Sequence, residues 1–186
     1  DGLMGRMAAT ALSHVYAPKA HGGATLQLAT AVTPLSACVL FSSVAALLGG
    51  AGQANYSAAN SVLDALATER RRCAQAAASV QWGPWGEVGM AAGGAVNARL
   101  QASGWSLITP AQGLKALQAA IAPGAPAVTA MMVVAWTRML SGGAGAVSVL
   151  LSPFAPQPTA AATAACGAAA VADGGARRVI ELQAVQ

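Results

Sequence analysis

Apolar residues along this chain alternate between short continuous runs and longer stretches of helical period, which predicts strand, helix, strand, helix, strand. Residues 37–41 (ACVLF) are a continuous apolar run, the pattern of a strand covered on both faces of a parallel sheet. Two hydroxyls, Ser42 and Ser43, end that strand, and a Gly-rich loop, Gly49-Gly50-Ala51-Gly52, follows. A helix begins near Asn55 and runs over 56–72, with Ala59, Val62, Leu63 and Leu66 on its apolar face and Asp64 and Glu69 pointing elsewhere. A second strand over 78–82 stops at Gly83-Pro84. Thr109 reads as an N-cap with Pro110 at the first helical position, opening a helix through Leu114, Leu117 and Ile121 to Pro123-Gly124. Residues 127–134, rich in β-branched residues and Met, give a third strand. These lengths argue an α/β fold with parallel strands and right-handed crossovers.

The flanks are less regular. Residues 8–31 read mostly as helix, interrupted around Pro18 and Gly22-Gly23, with Leu12, Val15 and Tyr16 on an apolar face and Leu26 and Leu28 further along. Residues 82–90 (WGPWGEVGM) are a loop rich in Gly and Trp, and 91–106 read as a mobile stretch. From Ser141 the period is lost. Residues 142–145 (GGAG) and the Ala/Pro/Gly/Thr segment 153–176 read as a disordered linker, and 177–186 as the start of a truncated helix. The expected division is a domain over 1–140, a linker over 141–176 and a downstream element over 177–186.

Composition changes this picture in one respect. The 186 residues are 55% hydrophobic and 9% charged, with a mean hydropathy of +0.53. That is apolar for a free-standing soluble protein and suggests surface that is normally covered. The net charge of +4 rests on a handful of arginines. The one triplet, Arg70-Arg71-Arg72, falls at a predicted helix end, where cations complement the dipole, so nucleic acid is not expected as a partner. Cys38, Cys73 and Cys166 have neither metal-ligand spacing nor an even count, and read as reduced thiols, Cys38 in the core. A signal pattern and a run of 18 apolar residues are both missing, so no membrane partner is expected and the location expected is cytoplasmic or within a plastid. The chain starts at Asp1-Gly2 without Met and reads as part of something longer.

Few residues can carry chemistry. Six acids are scattered along the chain, which supplies paired-carboxylate catalysis poorly. His14 and His21 lack partners at metal-ligand spacing and read as structural or solvent-facing; no metal is expected. No Gly-x-Ser-x-Gly elbow is present for acyl hydrolysis. What remains is Ser43 at the strand end, Tyr56 and Asn60 four apart on one helix face, and Lys19 on the preceding element. A phenol of pKa near ~10 is a poor acid at neutral pH, and a nearby ammonium favours its phenolate. Carbonyl reduction fits: Ser43 holds the carbonyl oxygen, Tyr56 delivers a proton, Lys19 lowers the phenol's pKa, and Asn60 anchors a water that resupplies the proton. Ordinary packing and capping explain Tyr56 and Asn60 about as well from spacing alone.

At these residues the chain resembles the C-terminal half of the ketoreductase domain of polyketide synthases and of the related animal fatty acid synthases, a short-chain dehydrogenase/reductase fold. The resemblance lies in Ala17-Pro18-Lys19 with Gly22-Gly23, in VLFSSVAALLG, in GQANYSAAN with Leu63-Asp64-Ala65-Leu66, and in VQWGPWGEVGM, and covers roughly 1–140. Most short-chain reductases place the lysine one turn after the tyrosine; in this group lysine and asparagine are exchanged, as Lys19 and Asn60 are here. The resemblance implies the C-terminal part of a Rossmann-like doubly wound parallel sheet. It implies reduction of a β-ketoacyl thioester, carried on the phosphopantetheine of an acyl carrier protein, to the β-hydroxyacyl form with NADPH. Cofactor contacts are implied at Ser42, Tyr56, Lys19, Trp82, Gly83, Pro84, Trp85, Gly89 and Met90. Residues 91–106 would be a lid over the substrate, and the tail a linker toward the carrier domain. The phosphate-binding Gly-rich loop would lie upstream, so the N-terminal half of the domain and other synthase domains are implied partners. Asp1-Gly2 ahead of the lysine element, and Gln53 rather than Trp three residues before Tyr56, imply the D-alcohol. The alternative is a non-catalytic structural domain of a megasynthase that keeps the motif.

Overall fold

A computed structural model describes residues 2–86, 94–141 and 149–155. A 3-10 turn at Met4–Arg6 leads into α1 (Ala9–Tyr16), a π-helical turn (Ala17–His21) and α2 (Gly22–Ala29). Then follow β1 (Val39–Ser43), α3 (Ala45–Leu48), α4 (Ala54–Arg72), β2 (Ala78–Trp82), α5 (Gly94–Ala102) and β3 (Trp105–Ser106). The remaining elements are α6 (Pro110–Ala120), β4 (Val128–Met131), β5 (Val133–Val134), α7 (Trp136–Ser141) and a 3-10 turn at Val149–Phe154. Among the described residues, 2–83 and 108–132 form one compact unit, and the others a second.

The first unit is built on a parallel sheet of order β1-β2-β4. Every residue of β2 is buried, as a central strand requires. α4 lies on one face because its buried positions, Asn55, Ala59, Asn60, Leu63, Ala67 and Arg70, recur at helical spacing. Ala59 and Ala67 are wholly buried and bring the helix close to the strands, around a core of Cys38, Leu40, Leu63, Ala67 and Ala77. α6 starts on a complete capping box: Gln112 N–H donates to Thr109 Oγ1 at 3.3 Å, and Thr109 N–H to Gln112 Oε1 at 2.9 Å. The mixed α/β architecture with parallel strands is as read from the sequence.

Several local expectations need correction. Pro18 and Gly22-Gly23 do not interrupt the first helix; α1 and α2 are joined through the π turn. Proline lacks the N–H that a regular turn would use, and the wider turn absorbs it. Gly23 serves packing instead: a Cβ there would meet Leu63 Cδ2 at 3.1 Å. The first strand lies at 39–43 rather than 37–41, and Phe41 is 54% exposed, so its outer face is not covered among the described residues. Within 91–106, read as mobile, the structure has α5 and β3. The strand expected over 127–134 divides at Met132 into β4 and β5. Val62, expected on the apolar face of α4, is also exposed. Pro153 lies inside a 3-10 turn; 156–176 of the expected linker, and 177–186, lie outside the described residues.

The arginine triplet does more than complement a dipole. Arg70 is 3% exposed; its guanidinium donates to Ala76 O, Gln27 Oε1 and Thr30 Oγ1. Arg71 donates to Ala77 O at 2.6 Å and Ala125 O at 3.1 Å. Arg71 and Arg72 are both exposed, and Arg72 pairs with Glu69 at 3.5 Å.

In the second unit, β3 pairs antiparallel with β5. Gly104, with φ of +88°, turns the chain into β3, and a Cβ there would lie 2.8 Å from Met139 N. Trp136 stacks on Phe154 with centroids 4.4 Å apart. Among the described residues no helix is long and apolar enough to cross a membrane, and no cluster of His, Cys, Asp or Glu could hold a metal.

Candidate active site

Parallel strands place the C-terminal ends of β1, β2 and β4 along one edge of the sheet, the edge at which open α/β sheets bind ligands. Ser42 and Ser43 stand at the end of β1, opposite Gln81 and Trp82 of β2. Val44 N–H donates to Trp82 O at 3.0 Å and carries the pairing one residue beyond the strand.

The two hydroxyls differ in what their protons can do. A serine has one proton and two lone pairs. Ser42 Oγ donates its proton to Asn60 O at 3.3 Å, tying β1 to α4. Ser43 Oγ accepts from Ala45 N–H at 3.2 Å, which leaves its own proton for another acceptor.

Tyr56 and Asn60 share a face of α4, and Asn60 Nδ2 donates back to Tyr56 O at 2.8 Å. Asn60 is wholly buried, and its Oδ1 has no hydrogen-bond partner among the described residues. An orphaned buried carbonyl of this kind costs stability and is explained best by a role or by an ordered water. Asn55, which the sequence reading passed over, fixes the start of the same helix. Its Oδ1 accepts from Tyr56 N–H at 2.9 Å, and its Nδ2 donates to Ala11 O at 3.4 Å.

Lys19 arrives on the π turn. Its Nζ lies 5.5 Å from the centroid of the Tyr56 ring, within cation–π range, and donates to Phe41 O at 3.0 Å. That carbonyl lies on the outer edge of β1. Ala78 N–H bonds Cys38 O, and alternate residues of a parallel strand face the same neighbour, so Leu40 also faces β2 while Phe41 faces away. Burial pushes the Lys19 pKa below the usual lysine value, and the negative charge of Asp64 opposes that shift.

The structure therefore brings Lys19, Tyr56 and Asn60 together and ties Ser42 to Asn60. Ser43 stands at the same strand end, with its one hydrogen bond local. On the opposite face of β1 from Ser42, the rings of Phe41 and Trp82 meet at 5.5 Å. Gly83 allows β2 to approach β4, since a Cβ there would lie 3.2 Å from Met131 O. Pro84 and Trp85 belong to the second unit; Asp1, Gly89 and Met90 lie outside the described residues. Asp64, read as pointing away from the buried face of α4, instead faces the sheet and accepts from Ser79 Oγ at 2.6 Å and Gln81 Nε2 at 2.8 Å. His14 and His21 are exposed and take no part.

Residues 1–87 match the KR domain family. The polyketide synthases GfsB and GfsA of Streptomyces halstedii are 45% identical over 128 residues and 42% identical over 165 residues, or 69% and 87% of this chain. The chain spans 2% of the length of each. A structure described as A-type ketoreductases from modular polyketide synthase superposes with a TM-score of 0.76 at 37% identity, over 82% of this chain and 32% of that one. An A1-type ketoreductase superposes at 0.77 and 36%, over 83% and 33%.

Proposed function

Since the chain belongs to the ketoreductase domain family of polyketide synthases, within the short-chain dehydrogenase/reductase superfamily, we propose that it supplies the proton-delivering side of a β-ketoacyl reductase. The substrate proposed is a β-ketoacyl thioester on an acyl carrier protein, and the product its β-hydroxyacyl form. The observation that supports this best is the Lys19 ammonium over the Tyr56 ring at 5.5 Å. An ammonium there stabilises the phenolate left behind when the phenol protonates a carbonyl oxygen.

Each residue then has one task. Ser43 donates its uncommitted proton as a hydrogen bond to the substrate carbonyl oxygen, which gains negative charge as reduction proceeds. Tyr56 Oη gives that oxygen its proton. Asn60 Oδ1, buried and unpartnered, accepts from a water that returns the proton to Tyr56. Ser42 holds β1 and α4 in register through Asn60 O.

The donor set fits a site for a reduced nicotinamide beside it: a hydroxyl, a phenol and an ammonium at the ligand edge of a parallel sheet. NADPH, when bound, supplies the hydride. Lys19, Tyr56, Ser42 and the Trp82-Gly83 turn are the residues of the first unit proposed to hold its nicotinamide end, with Pro84, Trp85, Gly89 and Met90 also proposed as contacts. The residues that hold its phosphates are proposed to belong to the rest of a domain about three times as long, as in the solved ketoreductases. The D-alcohol remains the proposed product. Gly2 N–H donates to Gly52 O at 2.8 Å, so the segment after Asp1 meets the loop that carries Gln53, the two places tied to handedness.

The test is to supply the full-length protein carrying this chain with NADPH and a β-ketoacyl thioester, and to identify the product by chiral chromatography and mass spectrometry. A β-hydroxyacyl thioester of D configuration is expected. No consumption of NADPH above a substrate-free control would contradict the reading.

A further inference from the structure

Asn55 stands one residue before Tyr56 in the first turn of α4 and is 3% exposed. A helix leaves its first N–H groups without partners of its own, and the side chain of the N-cap residue commonly takes one of them. Here the N-cap, Gln53, gives no side-chain cap. Asn55 Oδ1 does so instead, accepting from Tyr56 N–H at 2.9 Å. Its other end leaves the helix: Nδ2 donates to Ala11 O of α1 at 3.4 Å. An amide offers both an acceptor and donors, and this one divides them between two elements.

Those two elements lead to the two partners of the site. α1 runs directly into the π turn, which carries Lys19, and α4 presents Tyr56 immediately after Asn55. Further along this seam α4 meets α2 at Gly23, where a Cβ would lie 3.1 Å from Leu63 Cδ2 and 3.4 Å from Leu66 Cδ2. At the far end of α4, Arg70 donates to Gln27 Oε1 and Thr30 Oγ1. Apolar packing is non-directional, whereas a hydrogen bond fixes direction as well as distance. Asn55 is the polar clasp at the end of the seam where the site lies.

We propose that Asn55 is a positioning residue that sets the spacing of the Lys19 ammonium from the Tyr56 phenol by tying α1 to the first turn of α4. The proposal rests on the reading of Tyr56 as the proton donor. Asn55 meets Tyr56 at its backbone N–H, so its effect on proton delivery runs through the placing of the ring and of Lys19. The attraction between the ammonium and the ring, now 5.5 Å apart, depends on distance. A displacement of about 1 Å in a catalytic arrangement can cost about a hundredfold in rate.

The variant Asn55→Asp separates capping from tethering. An ionised carboxylate keeps the acceptor for Tyr56 N–H and suits a helix N-terminus, but it has no proton to donate to Ala11 O. Hydrogen–deuterium exchange of the full-length protein, read by mass spectrometry on peptides covering 53–58 and 9–21, is compared among wild type, Asn55→Asp and Asn55→Ala. Asn55→Ala is expected to speed exchange several-fold in both peptides, and Asn55→Asp in 9–21 alone. Single-turnover reduction of a β-ketoacyl thioester with NADPH is expected to slow about tenfold in Asn55→Asp. Its solvent deuterium isotope effect should rise, while the half-saturating substrate concentrations stay near those of wild type. Unchanged exchange over 9–21 in Asn55→Asp reduces the residue to a helix cap and overturns the proposal. An unchanged rate in a variant whose 9–21 exchange has risen overturns it too. Should Asn55→Asp not fold, Asn55→Ala is judged by the same two results. If wild type itself reduces no β-ketoacyl thioester while 9–21 responds as expected, the tether stands and the reductase reading falls instead.

Discussion

One proton distinguishes the two serines at the end of β1. Ser42 and Ser43 are neighbours of the same type, yet Ser42 has given its proton to Asn60 O while Ser43 only accepts, from Ala45 N–H. If Ser43 holds the substrate carbonyl as proposed, Ser43→Ala is expected to lower kcat of the full-length protein with little change in melting temperature, and Ser42→Ala to lower melting temperature first; activity and thermal melts on both variants check this. Lys19 carries a second residue-scale expectation. Its pKa in the folded protein lies below its unfolded value, so between the two the unfolded state binds more protons. Stability contributed at Lys19 therefore rises as pH climbs through that window. Denaturant titrations of wild type and Lys19→Met across alkaline pH should find the difference moving in favour of wild type; the opposite slope would refute the burial. Arg70 is the clearest structural residue. Its guanidinium is buried on Ala76 O, Gln27 and Thr30, and Arg70→Ala should cost about 3 kcal/mol in a denaturant melt.

At the scale of elements, the sequence was most legible where local rules act alone. Strand 78–82 coincides with β2 because an apolar run meets Gly83-Pro84. Thr109-Pro110 predicted the start of α6, and the capping box with Gln112 realises it. Replacing Thr109 by Ala should destabilise the first unit by about 1 kcal/mol, read from its melt. What was misread depends on partners distant in sequence. Pro18 looked like a break, but the π turn it produces is what carries Lys19 to the Tyr56 ring. Asp64 reads as pointing away from the apolar face because a carboxylate among Leu63 and Leu66 breaks the pattern; its partners are Ser79 and Gln81 of β2, which no helix-only reading could supply. Arg70 was hidden the same way, by partners on α2 and the turn after α4. Lys19, Tyr56 and Asn60 were found because their spacing matched a known pattern, and they do converge; the relation of Ser43 to them rests on a shared strand end.

On the scale of the molecule, the high apolar content has a visible counterpart. Phe41, Leu12, Leu26 and Leu28 are 54%, 45%, 45% and 79% exposed, and β1 ends the sheet among the described residues. The chain spans about a third of the solved ketoreductases it matches, which agrees with surfaces that a larger domain would cover. Lys19 bonding the outer-edge carbonyl of Phe41 links that edge to the site. The central claim, however, concerns Tyr56 as the acid, and one measurement reaches it most directly. Single-turnover reduction of a β-ketoacyl thioester by the full-length protein with NADPH is compared between wild type and Tyr56→Phe, which keeps the ring under Lys19 and removes only the phenol oxygen. With Tyr56 as the acid, the variant's rate falls by about 10²–10⁴ with substrate binding retained; an undiminished rate would contradict that role.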